Sequence, residues 1–201
     1  MIIEEIEKQI INLLPTSNIL LDEVDYSILE ERKKDWKKLS EVTHSIVLAF
    51  DCYTKKFVFV SDNIPELYGL DSHRLFIDGH QPVVEVIHPD DIYYGLIVRK
   101  KIYSILSSFS NEEKMNYKAI HEMRVRNLRG EYIRIIEQEQ VIELDKSGNI
   151  WLMLSVIDVD ASHESEIIKS HLYNFKTGEQ IFIDLSDTCL LYTSPSPRDR
   201  G

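Results

Sequence analysis

The chain has 201 residues, of which 43% are hydrophobic and 28% are charged. This composition is typical of a folded globular protein, and the length predicts one domain with helical flanks rather than two full domains. The formal net charge of -11 argues against sequence-independent binding to nucleic acid, because phosphate binding requires clustered lysine and arginine side chains.

No apolar run approaches the roughly 18 residues needed to cross a bilayer. The first residues, Met1 to Glu5, are acidic where a secretory signal peptide would be basic,. We therefore expect a cytoplasmic protein that makes no membrane contact.

Residues 189–201 are set apart because the segment from Cys189 to Asp199 matches one reading frame of a transposon-based sequencing adaptor,. The alternative is a natural Ser/Pro-rich linker. On the adaptor interpretation, the natural coding sequence continues past Thr188, and Cys52 is the remaining cysteine. One cysteine allows neither an internal disulfide nor a multi-cysteine zinc site, and we expect no metal.

Residues 1–42 are predicted to form an N-terminal helical extension. Its first part carries apolar residues at helical spacing and stops at Pro15,. This apolar stripe has no assured partner within the chain, so we predict that it makes the protein a homodimer. The stripe consists of Ile2, Ile6, Ile10 and Leu13. A second helix is predicted from Asp22 to about Ser40.

Residues 43–161 form the predicted core domain. Period-two alternation predicts strands over Ser45–Asp51 and Lys56–Ser61, joined by a tight turn. Short helices follow, and Pro89 begins a long helix that runs to about Phe109. Three more strands are predicted at Ala119–Asn127, Tyr132–Leu144 and Asn149–Asp160. This order predicts an α+β fold, a five-stranded antiparallel sheet with helices on one face.

Four segments of the core domain carry distinctive motifs, in a fixed order along the chain. They are Phe59–Asn63 leading into Leu67-Tyr68-Gly69, then His88-Pro89-Asp90-Asp91, then Arg124–Tyr132, and finally Ile150–Val159. The region from Ser45 to Asp160 therefore resembles the PAS family, in particular the PAS fold-3-like subgroup whose last strands carry a basic, glycine-containing turn. The residues singled out as structural are Asn63, Gly69, His88, Pro89, Asp90, Asp91 and Gly130. Asn63, or Asp62 before it, is expected to cap a short helix that Gly69 ends in the left-handed conformation.

The PAS resemblance implies a signal-sensing domain whose cupped sheet and helices enclose a small pocket for an unidentified small molecule. The inward residues expected to line it are Phe50, Tyr68, Phe76, Ile97, Met123, Ile135 and Leu154. The alternative is that these side chains simply fill a dry core, because apolar residues on strands are mostly packing.

The chain also resembles the N-terminal half of bacterial regulators in which one PAS domain precedes a LuxR-type helix-turn-helix. On that resemblance, residues 162–188 are the linker to an output domain outside this sequence, and the protein regulates transcription, contacting DNA only through that domain. Two alternatives stay open. The first is the PAS sensor of a histidine kinase or a cyclic-dinucleotide enzyme, and the second is a ligand-free protein-interaction domain.

Cofactor and catalytic chemistry is not expected in this chain. The cysteine motif of flavin-binding light sensors is absent, and no histidine lies between Asp90 and Phe109, where the long helix would present a haem ligand,. Acid/base groups near His88 are typical of an ordinary helix start, and no phosphate-binding loop or nucleophile elbow is present. We therefore predict a protein that is not an enzyme and has no cofactor.

Overall fold

The computed structural model describes residues 20–160 and 170–183. The predicted dimerisation stripe and residues 189–201 lie outside the described residues. Two short 3-10 helices, Leu21–Glu23 and Tyr26–Ile28, precede the first α-helix. The α-helices are α1 (Leu29–Thr43), α2 (Ile64–Tyr68), α3 (Ser72–Asp78), α4 (Gln81–Val86), α5 (Pro89–Ser108) and α6 (Asn111–Asn116). The strands are β1 (Ile46–Asp51), β2 (Lys56–Val60), β3 (Tyr117–Arg126), β4 (Tyr132–Leu144), β5 (Ile150–Val159), β6 (Ser170–Asn174) and β7 (Gln180–Phe182).

All seven strands belong to one antiparallel sheet with the order β2-β1-β5-β4-β3-β6-β7. The predicted α+β class and antiparallel pairing are confirmed, but the predicted number of five strands is wrong. The additional strands come from the segment that the sequence analysis assigned to a linker. β6 lacked a clear alternation signal because its inward positions combine Leu172 with the polar residues Ser170 and Asn174, which are also buried.

Both faces of the β1 end of the sheet are covered, which corrects the expectation of helices on one face. Ile46, Leu48 and Phe50 face the main core, whereas Val47 and Ala49 face a second cluster beneath α1. Trp36 of α1 anchors that second cluster, with its ring 5.7 Å from the Phe59 ring. All six residues of β1 are therefore buried, as expected for a strand packed on both sides.

Helices α2 to α5 lie over the opposite, inner face and close the main core. The start of α5 is fixed to β3 through Asp91, whose carboxylate accepts hydrogen bonds from the Arg124 backbone N–H at 2.8 Å and from its guanidinium group. His88 N–H also donates to the Arg124 carbonyl at 2.8 Å. These bonds hold the first turn of α5 against the sheet.

Helix α6 lies between α5 and β3, where the sequence analysis predicted no element. Ser110 and Glu113 form a reciprocal capping box, in which each side chain accepts from the other residue's backbone N–H,. The spacing of serine and glutamate three residues apart was the available signal for this helix.

No helix among the described residues is long and apolar enough to span a membrane.

Candidate functional site

A cavity lies between the inner face of the sheet and helices α2, α4 and α5. The volume that the centres of water molecules can occupy in it is about 50 Å³. One water needs roughly 10–15 Å³ of such volume. The space therefore suits a few waters or a ligand of a few non-hydrogen atoms. Its walls are largely apolar, but six polar residues also line it: Tyr68, His80, Arg99, Glu137, Glu139 and Ser155.

The polar part of the cavity is organised around Arg99 of α5. Its guanidinium donates to Glu137 at 2.6 Å and to Glu139 at 3.3 Å. The two glutamates are inward neighbours on β4, and each is only 7% exposed. Burial would lower the pKa of Arg99, but the two carboxylates outweigh burial and raise the pKa above its usual range,. Arg99 therefore remains charged and is shared between two acids.

Glu139 has further partners on the side away from the cavity. Tyr103 Oη donates to Glu139 Oε1 at 3.3 Å, and His121 Nε2 lies 3.7 Å from Glu139 Oε2. Burial would raise the pKa of this carboxyl, but Arg99 and His121 outweigh burial and hold it below its usual range. Glu139 is therefore ionised near neutral pH. His121 Nδ1 in turn lies 3.4 Å from Ser170 Oγ, which connects the cluster to β6.

Two buried polar atoms in the cavity wall have no hydrogen-bond partner among the described residues: Tyr68 Oη and His80 Nδ1. Tyr68 is 7% exposed, and burial, followed by the negative charges of Glu137 and Asp158, raises its pKa. Burial, with a contribution from Arg99, lowers the pKa of His80 to about 4, so this imidazole is neutral near pH 7. Buried polar atoms are normally paired by protein, water or ligand, so these two atoms mark positions that a water or a ligand would satisfy.

Of the seven residues predicted to line a pocket, four line this cavity: Phe50, Tyr68, Met123 and Ile135. The other three do not. Phe76 follows the buried Leu75 on α3 and points outward, with 39% of its surface exposed. Ile97 is half-buried and does not line the cavity, which α5 reaches through Arg99.

Leu154 lies on the opposite face of the sheet from the cavity. It packs in the cluster under α1, because alternation places Met153 and Ser155, not Leu154, on the inner face of β5,. The structure therefore corrects its placement.

The first pair of predicted structural residues flanks α2. Asn63 occupies the N-cap position, but its side chain makes no capping bond. Instead its amide donates to the carbonyls of His44 and Ser45, and its oxygen accepts from Ser61 Oγ at 2.7 Å, which ties the end of α1 to the end of β2. Gly69 ends α2 with a left-handed φ of 64°, which residues with a side chain rarely adopt,. An added Cβ would also lie 2.6 Å from Leu128 Cδ2, so the exposed Leu128 side chain would have to move.

The remaining predicted structural residues lie at the start of α5 and in the β3–β4 turn. His88 caps α5 by accepting the Asp90 N–H at 3.2 Å, and Pro89 is the first helical residue. Asp90 and Asp91 are in the first helical turn, where only Asp91 is buried. Gly130 has φ 81° in the hairpin turn between β3 and β4.

The sequence analysis missed Arg99, Glu137 and Glu139, although two signals were present. Arg99 falls on the same α5 stripe as Leu96, Tyr103 and Leu106, at spacings of three, four and three,. Glu137 and Glu139 occupy inward positions of β4, between the buried residues Ile135 and Val141. Following either signal means assigning a charged residue to the core, and charged residues are rarely buried there unless they are paired.

Within the described part of the chain, no group of three or more histidine, cysteine, aspartate or glutamate side chains has a geometry suited to a metal ion. Cys52 is buried, and burial raises the pKa of its thiol. The thiol is therefore poorly suited to nucleophilic chemistry.

Comparison with known proteins gives structural likeness only. No family model matches the chain, and the search of curated proteins found no match. Among solved structures, it is similar to the PAS domain of a protein from Colwellia psychrerythraea, with 15% identity and a TM-score of 0.47 over 68% of this chain and 99% of that one.

Two further solved structures show a similar level of likeness. The Drosophila melanogaster Cycle PAS-B domain with bound ethylene glycol has 12% identity and a TM-score of 0.42, covering 57% of this chain and 99% of that one. A sensory box histidine kinase/response regulator from Burkholderia thailandensis has 18% identity and a TM-score of 0.39, covering 61% and 82%. At such low identities and scores, no function is transferred from these proteins.

Proposed function

We propose that this chain is a PAS-like, non-catalytic sensing module that binds a small molecule in the cavity between its sheet and helices. The observation that carries the proposal is the polar lining of an otherwise apolar cavity, in which the buried hydroxyl of Tyr68 lacks a partner among the described residues. A core that serves only stability would be expected to satisfy or omit such groups.

The proposal includes an output. Transcription regulation through a LuxR-type helix-turn-helix beyond Thr188 is our first choice, and a histidine kinase or cyclic-dinucleotide enzyme is the alternative. The buried contact between His121 and Ser170 supports a link from the cavity to the segment that leads toward such a domain. Translating the uninterrupted gene across Thr188 decides between these outputs, because a helix-turn-helix has a basic recognition helix and a kinase has nucleotide-binding motifs.

Ligand binding is tested with a library of small polar fragments, following the methyl NMR signals of Met123 and Ile135 in the cavity wall. We expect saturable shifts in the wild type that disappear in Ser155→Leu, because Ser155 also lines the cavity and the larger side chain fills it. If no fragment shifts either methyl signal, the ligand-free interaction domain becomes the better assignment.

The same preparation tests the absence of a coloured cofactor. The purified protein is expected to be colourless, and an absorption band above about 400 nm would instead indicate bound flavin or haem.

A further inference from the structure

The acceptors in the cavity outnumber the charged donors that serve them. Glu137 and Glu139 both bind Arg99, so one guanidinium group is divided between two carboxylates. His80, the histidine of the lining, is uncharged near neutral pH, because burial and Arg99 keep its pKa low. The lining therefore carries more negative than positive charge.

The two carboxylates are not equally satisfied. Glu139 is also contacted by Tyr103 and His121, both outside the cavity lining. Among the described residues, the Glu137 carboxylate accepts a hydrogen bond from Arg99 and from no other group. A carboxylate offers about four acceptor positions, so Glu137 retains unused acceptor capacity in a buried site. Such a group gains most from an additional donor.

The Tyr68 hydroxyl lines the same cavity as Glu137. It is buried without a partner among the described residues, and the charge of Glu137 is among the causes that raise its pKa. A neutral hydroxyl can accept a hydrogen bond from an N–H group as readily as it can donate one. Glu137 and Tyr68 together therefore present a negative, acceptor-rich surface to a guest.

We propose that the ligand carries a small cationic head group of amine or amidinium chemistry, which binds Glu137 in the cavity that the Tyr68 hydroxyl also lines, while its apolar part contacts the surrounding walls. This inference rests on the proposed ligand-binding function. The space available, about 50 Å³ for water centres, limits the buried part of the ligand to a few non-hydrogen atoms.

The test uses three probes of nearly equal shape that differ in charge: acetamidinium, acetamide and acetate. Each is titrated into the full chain at constant ionic strength while the methyl signals of Met123 and Ile135 are followed. We expect acetamidinium to bind at least about tenfold more tightly than acetamide, which is the usual gain from a charge-assisted hydrogen bond, and acetate to give no saturable shift.

Variants then assign the selectivity to named side chains. Glu137→Gln keeps the shape of the side chain and is expected to reduce acetamidinium affinity about tenfold, to the level of acetamide. Tyr68→Phe should weaken acetamidinium binding by a smaller factor. Glu143→Gln is the matched control, because Glu143 lies on the same strand but pairs with Arg32 outside the cavity; its affinity should equal that of the wild type.

The outcomes separate this inference from the broader function. Acetate binding as tightly as acetamidinium, or acetamidinium binding that Glu137→Gln leaves unchanged, would overturn the cationic ligand but retain the cavity as a binding site. The same conclusion follows if the fragment library yields cavity ligands and acetamidinium does not bind. If neither the three probes nor the library shifts the cavity methyl signals, both proposals fail.

Discussion

The hydroxyl of Tyr68 allows stability and binding to be separated at a single atom. Because Tyr68 Oη is buried without a protein partner among the described residues, Tyr68→Phe removes a desolvated polar group and leaves the ring in place. We expect the ligand-free variant to be as stable as the wild type or more stable by about 1 kcal/mol, as measured by urea unfolding. A loss of more than that would mean that the hydroxyl has a favourable partner in the free protein.

Arg99 has the opposite role, because its charge is paired with the buried carboxylates of Glu137 and Glu139 in the ligand-free protein. Arg99→Met leaves two buried carboxylates without their shared cation, and removing one partner of a buried ion pair typically costs about 3–5 kcal/mol. We expect a loss of that size in the free energy of unfolding near neutral pH. A loss within experimental error would contradict the buried pairing.

The same variant predicts a pH dependence with a defined sign. In the wild type, Arg99 holds the pKa of Glu139 low, so the stability contributed by this carboxylate is present above the ordinary glutamate pKa of about 4.3 and lost as pH falls toward the lowered value. Without Arg99, burial raises the pKa of Glu139 instead. Protonation of this carboxyl then removes the unpaired buried charge that destabilises the variant. The stability difference between the two proteins should therefore be largest near pH 7 and narrow below about pH 5.

Arg74→Met provides the matched control for Arg99→Met. Arg74 also contacts two carboxylates, Asp78 and Glu85, but all three side chains lie at the surface. Exposed ion pairs contribute little to stability, so this variant should resemble the wild type at every pH tested.

At the scale of elements, the sequence predicted best where clear turns flank a strand. The bounds of β4, Tyr132–Leu144, were predicted without error, because turns flank a segment rich in isoleucine, even though two of its inward positions are glutamates,. Asn63 was assigned a local capping role because side-chain contacts to a distant segment, here His44 and Ser45, leave no mark in local sequence. The polar half of the cavity was missed for the same reason, since Arg99 and Glu137 become a pair only when α5 lies across β4.

Strand β6 can be tested as a member of the core. Leu172 is fully buried, whereas Phe182 on the adjoining edge strand β7 is 66% exposed. We expect Leu172→Ala to reduce the free energy of unfolding by about 2–5 kcal/mol, as for other buried leucines. Phe182→Ala should change it by no more than about 0.5 kcal/mol. Equal, small effects for both would indicate that β6 is not part of the cooperative fold.

On the scale of the whole molecule, the cavity is where three independent parts of the chain meet. Glu137 and Glu139 come from the middle of the sheet, Arg99 comes from the long helix, and His121 links the cluster to Ser170 in the segment that follows the first five strands. A cation bound at Glu137 would compete with Arg99 for that carboxylate, which would leave more of the guanidinium group to Glu139. These contacts connect the proposed ligand site to strand β6 through Glu139, His121 and Ser170.

Self-association is the prediction that concerns the whole chain. The stripe formed by Ile2, Ile6, Ile10 and Leu13 has helical spacing, and an apolar helix face is stabilised when a second copy covers it. The double variant Ile6→Lys with Ile10→Lys should convert a dimer into a monomer in sedimentation velocity experiments at tens of micromolar, because two charges would be placed in the buried seam. Val42→Lys is the control, since Val42 is 72% exposed at the end of α1 and its replacement should leave the dimer intact. A wild-type protein that sediments as a monomer at that concentration would refute the homodimer, and equal dissociation by both variants would place the interface elsewhere.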